Sequence, residues 1–126
     1  ELDSNKNILI IDVIGVLTKA YSYASLVYVG GGMGNQGLHN ILEPAVYGVP
    51  IIVGKNFQKF NEAIDLVEKE GAFKIESNFD FEKLFENFSE DINLRNSCGK
   101  INFDYVFMNR GATNEIINHI KKILSN

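Results

Sequence analysis

Short apolar runs that end at glycine, alternating with segments of helical period, predict an α/β fold. The form expected is a Rossmann-like parallel sheet with flanking helices, half of a doubly wound unit, with a helical C-terminal extension. Three observations carry this. The runs near residues 26–29 and 50–53 are apolar without polar alternation, as in parallel strands covered on both faces, and 72–75 is a further short run interrupted by Lys74. The stretches between them repeat apolar residues at helical spacing. From Asp80 onward no strand pattern returns.

Taken in order, Asn7 to Ile11 reads as a first buried strand, followed by a helical pattern over 16–24 carried by Val16, Leu17, Ala20, Tyr21 and Ala24. Leu26 to Val29 is a second strand and runs straight into Gly30-Gly31-Gly32. Asn40 to Tyr47 reads as a short helix closed by Gly48, and Pro50 to Val53 as a third strand ended by Gly54. Phe57 to Glu70 is a helix with an apolar face of Phe60, Ile64 and Val67, and Gly71 stands where a left-handed C-terminal cap is expected. Ala72 to Ile75 is a fourth strand. Beyond it, Phe81, Leu84, Phe85 and Phe88 share one helical face, and Thr113 is the expected N-cap of a last helix with Ile116, Ile117, Ile120 and Leu124 on its apolar side.

At 126 residues the chain suits one domain with a core that needs no disulfide. Its net charge of −4 and scattered cations argue against nucleic-acid binding through a basic surface. Cys98 is alone, which excludes an intrachain disulfide and a cysteine-rich zinc site, and no metal or cofactor is expected. No run approaches the length of a membrane span, and no signal peptide opens the chain. It begins Glu-Leu-Asp-Ser and enters an apolar run at once, so it is expected to be a piece of something longer.

The informative stretch is Tyr28 to Pro50. Five glycines in eight residues (30–37) follow a strand, at the end of the sheet where open α/β folds bind ligands. Glycines there let backbone N–H groups approach a ligand, or simply make a mobile connector. Neither the dinucleotide fingerprint with its downstream acid nor a Gly-Lys-Ser/Thr phosphate loop is present. Asn40 and Glu43, three apart, fit a capping box; equally, Glu43 turns into the cleft and accepts from two neighbouring ribose hydroxyls. His39 is a sugar or phosphate donor or an exposed loop residue.

The run Gly30-Gly31-Gly32, Gly37-Leu38-His39-Asn40-Ile41-Leu42-Glu43-Pro44-Ala45 and Gly48-Val49-Pro50 resembles the nucleotide-sugar domain of 3-deoxy-D-manno-octulosonic acid (Kdo) transferases. Asp12-Val13-Ile14-Gly15, Lys59-Phe60-Asn61-Glu62 and Asn109-Arg110-Gly111-Ala112-Thr113 resemble further motifs of that family. The resemblance implies a two-domain GT-B enzyme that transfers Kdo from CMP-Kdo to the lipid A precursor at the cytoplasmic face of the bacterial inner membrane. It makes residues 1–126 an N-terminally truncated C-terminal donor domain. The catalytic base, the acceptor site and the membrane-anchoring segment belong to the absent N-terminal domain, so the fragment is soluble and inactive alone. Donor contacts are implied at Ile14, Gly15 and Val16, at Gly31 and Gly32, at His39, Asn40, Ile41, Leu42 and Glu43, and at Asn61. Family members often carry an acid at the position of Val16, so any contact there runs through backbone.

Lys55, Asn56 and Lys59 follow the third strand on the ligand side; a lysine there either neutralises an anionic donor or is a solvated loop residue, the more usual case. Arg110 heads the last helix and serves either a surface role or the positioning of a second domain. Tyr21, Tyr23 and Tyr28 read as packing. Two other readings stand beside the first: a UDP-sugar GT-B transferase or UDP-GlcNAc 2-epimerase-like domain, and a non-catalytic partner module with a flexible glycine loop.

Overall fold

The structure is a computed structural model and describes residues 7–125. Three strands, β1 (Val27–Val29), β2 (Ile51–Gly54) and β3 (Ala72–Ile75), form one parallel sheet in the order β1-β2-β3. Among the described residues six helices accompany them: α1 (Leu17–Tyr21), α2 (Leu42–Ala45), α3 (Asn61–Glu68), α4 (Asn78–Glu90), α5 (Ile92–Met108) and α6 (Ala112–Leu124). The parallel sheet, the flanking helices and the helical C-terminal extension are those the sequence predicts.

Every residue of the central strand β2 is buried, which is why its sequence is apolar without alternation. Pairing places Tyr28, Ile52 and Phe73 side by side on one sheet face. There Phe73 meets Phe88 of α4 edge-on at 5.1 Å, and Tyr28 meets Phe81 at 6.0 Å. On the other face Val29, Ile51, Val53 and Ala72 pack with Ala63 and Leu66 of α3 and with Ala45 of α2. Burying such side chains contributes about 1.5–3 kcal/mol each.

The segment expected as a first strand, 7–11, is not a strand. Ile8 and Ile10 are each 82% exposed, and among the described residues β1 pairs only with β2. An all-apolar strand is stable only when both its faces are covered, and nothing among the described residues covers this one. The helix read over 16–24 is shorter, five residues long, and that at 40–47 reduces to the single turn Leu42–Ala45.

Two caps also differ from expectation. The left-handed residue after α3 is Glu70 (φ 62°), not Gly71. The Gly71 N–H donates to Leu66 O (2.9 Å) and that of Glu70 to Val67 O (3.2 Å), the paired bonds of a Schellman end with Glu70 at C′. Gly71 is small for another reason: a Cβ there would lie 2.1 Å from Asn102 Oδ1. The last helix is entered through Gly111 (φ 112°), and Thr113 sits inside its first turn. At α4 the chain does cap locally, with Ser77 and Asp80 in a reciprocal capping box. Backbone N–H bonds from Glu76, then the Ser77 partner, hold the Asp80 carboxyl below its usual range.

α5 is seated by close backbone approach. A Cβ on Gly99 would stand 1.9 Å from Gly48 O and 2.8 Å from its carbonyl carbon. Alanine ordinarily gains about 1 kcal/mol over glycine inside a helix. Here the methyl forces α5 away from its seat, and the sign reverses. Gly99→Ala is expected to cost about 2 kcal/mol in urea unfolding; an unchanged or raised midpoint would show that α5 does not pack against Gly48.

Candidate functional site

The carboxyl ends of β1 and β2 carry the site. β1 runs into the glycine loop, whose base is closed by the His39 N–H donating to Gly30 O at 3.1 Å. Beyond β2, the Asn56 N–H donates to Gly32 O (2.8 Å) and Asn56 Nδ2 to Gly34 O (3.0 Å), tying the loop across the sheet end. Gly31 (φ 90°) has no room for a side chain, since a Cβ would fall 2.0 Å from Gly37 O. Gly32 is buried against Gly54, whose own Cβ would sit 2.3 Å from the Gly32 carbonyl carbon. Gly31 and Gly32 therefore let the loop fold on itself and on β2. It is a pinned loop, not a loose connector.

A cavity of about 520 Å³ opens on the α1–α2 side of this loop, lined by Leu17, Tyr21, Tyr28, Val29, Gly30, His39, Asn40 and Glu43. Asn40 Oδ1 accepts from the Leu42 N–H (3.0 Å), while its Nδ2 donates to Glu43 Oε1 (3.1 Å). The expected capping box is thus only half made. Asn40 caps the turn, but Glu43 binds the Asn40 side chain, not its backbone, and its carboxylate stays at the cavity wall. A half-buried carboxylate with one oxygen steadied by an amide keeps acceptor capacity for hydroxyls, at two oxygens and with no donor of its own. Burial, then the Glu43 charge, raises the Tyr21 phenol above its ordinary pKa, so it remains a neutral O–H donor at the same wall.

The structure gathers His39, Asn40 and Glu43 around one cavity. Ile41 is 1% exposed and belongs to the core, so it offers only backbone, and Leu42 is partly buried against the same core with its N–H already taken. Ile14 is fully exposed and Gly15 has no atom within 4 Å of where a Cβ would stand. Val16 directly precedes α1, whose Leu17 and Tyr21 line the cavity. Asn61 is exposed at the start of α3. Sequence reasoning passed over Tyr21 and Tyr28 as packing. The i, i+4 spacing of Leu17 and Tyr21 was the available sign that they share a helix face.

The Asn109-Arg110-Gly111 motif lies elsewhere. It forms the corner between α5 and α6, with Arg110 stacked 3.5 Å over the Phe107 ring and Asn109 Nδ2 donating to Tyr105 O. Nearby, burial and the Asp65 carboxylate, which accepts from the Tyr105 hydroxyl at 2.8 Å, push the Tyr105 pKa up to about 12. Cys98 is buried, and desolvation raises its thiol above the usual range, the opposite of an activated nucleophile. Among the described residues no cluster of His, Cys, Asp and Glu is arranged to hold a metal ion, and no helix is long and apolar enough to cross a membrane.

No protein-family model matches the chain. It is 29% identical over 124 residues to the 3-deoxy-D-manno-octulosonic acid transferase of Haemophilus influenzae, which covers 97% of this chain and 29% of that protein. It is 38% identical over 66 residues to the transferase of the same name from Aquifex aeolicus, covering 52% of this chain and 19% of the relative. A bifunctional glycosyltransferase/methyltransferase of Fusobacterium nucleatum is 36% identical over 98 residues, 77% of this chain and 15% of that protein. The chain thus spans between 15% and 29% of the length of these relatives. Among solved structures, the C-terminal CMP-Kdo binding domain of WaaA from Acinetobacter baumannii superimposes with a TM-score of 0.67 at 22% identity, over 76% of this chain and 51% of that one. The sequence likenesses bear out the resemblance to Kdo transferases that the motifs carry. The structural likeness bears out the Rossmann-like fold.

Proposed function

We propose that this chain carries the donor-nucleotide part of a glycosyltransferase that moves Kdo from CMP-Kdo to the lipid A precursor in lipopolysaccharide biosynthesis. The observation that carries the reading is the Glu43 carboxylate, steadied by Asn40 at the wall of a cavity beside the glycine loop, in a chain similar to Kdo transferases along nearly its whole length. In this reading residues 1–126 are the later part of a C-terminal donor domain. The earlier part, the acceptor site, the catalytic base and the attachment to the cytoplasmic face of the inner membrane lie outside it.

Within the cavity Glu43 accepts from the two ribose hydroxyls, and Tyr21 and His39 flank the nucleoside. The backbone at Asn40 and Ile41 faces the phosphate, the Leu42 N–H being held by Asn40; α2 is one turn long, so local N–H groups rather than a helix dipole act there. Ile14, Gly15, Val16 and Asn61 complete the donor contacts from the neighbouring segments. Gly31 and Gly32 shape the loop that separates nucleotide from sugar. No group of this chain is assigned as catalytic. What it supplies is positioning, which converts the displacement at the anomeric carbon into an effectively intramolecular step.

Calorimetric titration of the full-length protein with CMP, UMP and UDP tests this. CMP is expected to bind, and to bind more tightly than either uridine nucleotide. Tighter binding of UDP would move the assignment to a UDP-sugar transferase or epimerase-like enzyme, and no binding of any of the three would favour a non-catalytic module.

A further inference from the structure

The glycine loop has a second cavity, on the side away from Glu43. It measures about 410 Å³ and lies between the loop tip, at Gly34 and Gly37, and the segment after β2, where Asn56, Gln58, Lys59 and Phe60 line it. Its chemistry differs from that of the Glu43 cavity. Lys59 is the cation at its wall, exposed and, among the described residues, in no ion pair. The other candidate, Lys55, is close enough to Glu76 that its charge helps to lower that carboxyl's pKa, and it does not line the cavity.

The two amides are held by their donor ends. Asn56 Nδ2 is committed to Gly34 O at 3.0 Å and Gln58 Nε2 to Lys55 O at 2.8 Å, which leaves both amide oxygens free to accept. Phe60 supplies an apolar wall: its Cζ would lie 3.4 Å from a Cβ at Gly37, so the loop and the ring are in close register. One cation, two acceptors and one aromatic face suit a polyhydroxy acid. The Glu43 cavity does not, since a second carboxylate there meets a like charge.

We propose that the Lys59 cavity takes the sugar-acid half of the donor, with Lys59 Nζ pairing the carboxylate and the Asn56 and Gln58 amide oxygens accepting from sugar hydroxyls. The inference rests on the donor reading above and adds to it a residue that distinguishes an acidic sugar from a neutral one. The nucleotide phosphate is the other anion a lysine here would meet, so the test separates the two.

Dissociation constants of CMP and CMP-Kdo are measured on the full-length protein carrying Lys59→Met or Lys59→Arg. Because Lys59 is exposed, neither change threatens the fold. Lys59→Met is expected to weaken CMP-Kdo about tenfold while CMP stays within about twofold, and Lys59→Arg is expected to keep most of the CMP-Kdo affinity. Equal losses for CMP and CMP-Kdo would make Lys59 a phosphate contact and overturn the proposal, as would no loss for either. Failure of the donor reading itself shows earlier and separately, as a wild-type protein that binds neither ligand.

Discussion

An Asn102→Asp variant is expected to lose about 4 kcal/mol of stability at neutral pH and to regain part of it in acid. Asn102 is fully buried in the middle of α5. Its Nδ2 donates to Val49 O at 2.6 Å and to Gly71 O at 2.8 Å, the carbonyls just before β2 and β3. These two acceptors need two donors, and one amide nitrogen provides both. A carboxylate provides none and adds a buried charge facing two carbonyl oxygens. A protonated carboxyl donates once, so one of the two bonds stays lost even then.

The direction with pH follows from linkage. The new carboxyl's folded-state pKa lies above its unfolded value of about 3.9, because burial and the facing carbonyls disfavour its charge. Between those two values the folded state binds more protons than the unfolded one, so stability falls as pH rises through that window. The difference in urea midpoint between wild type and variant is therefore expected to widen from pH 4 to pH 7. A gap that stays constant, or narrows, would show that residue 102 is solvated and does not bridge the two strands.

That bridge also explains why parts of this fold were legible in the sequence and others were not. The runs that became β1, β2 and β3 read correctly because a central parallel strand leaves its mark on its own residues: Ile51, Ile52 and Val53 are all apolar because all are covered. The run at 7–11 looks the same, yet whether it is a strand depends on partners that the run does not encode. Gly71 carries a good local signal for a C-cap, but its missing side chain answers to Asn102, thirty-one residues away. α5 has almost no amphipathic period, so nothing in its own pattern singled out Asn102. At the site the separation is the same. Asn40 and Glu43 are neighbours on one turn and were readable from spacing alone. Tyr21 and Tyr28, read as packing, and Gln58, which no motif singles out, reach the two cavities only through the crossovers, whereas Asn56 was readable as lying on the ligand side of the sheet. Lys59, read in the more usual case as a solvated lysine, lines a cavity only because the loop tip folds over beside it.

The largest binding effect is expected at Glu43. On the donor reading its carboxylate accepts from two ribose hydroxyls, and hydrogen bonds to a charged acceptor are worth about 1.5–3 kcal/mol each. Glu43→Ala is expected to weaken CMP about a hundredfold, close to the loss of two such bonds at the low end of that range. Glu43→Gln keeps the shape and one acceptor oxygen but loses the charge, and should fall between. Affinity loss alone does not locate the contact, because Asn40 Nδ2 also loses its partner in Glu43→Ala. Comparing CMP with 2′-deoxy-CMP does locate it. Wild type is expected to prefer CMP by about tenfold, the worth of one charge-assisted bond, and the Glu43→Ala protein to bind the two alike. Thermal unfolding should shift little, since Glu43 is only half-buried and Asn40, which caps the turn through the Leu42 N–H, is untouched. If Glu43→Ala kept the preference for the ribose form, the carboxylate would be a capping residue only. The nucleoside would then have to be read by the other polar groups of the cavity, Tyr21 and His39.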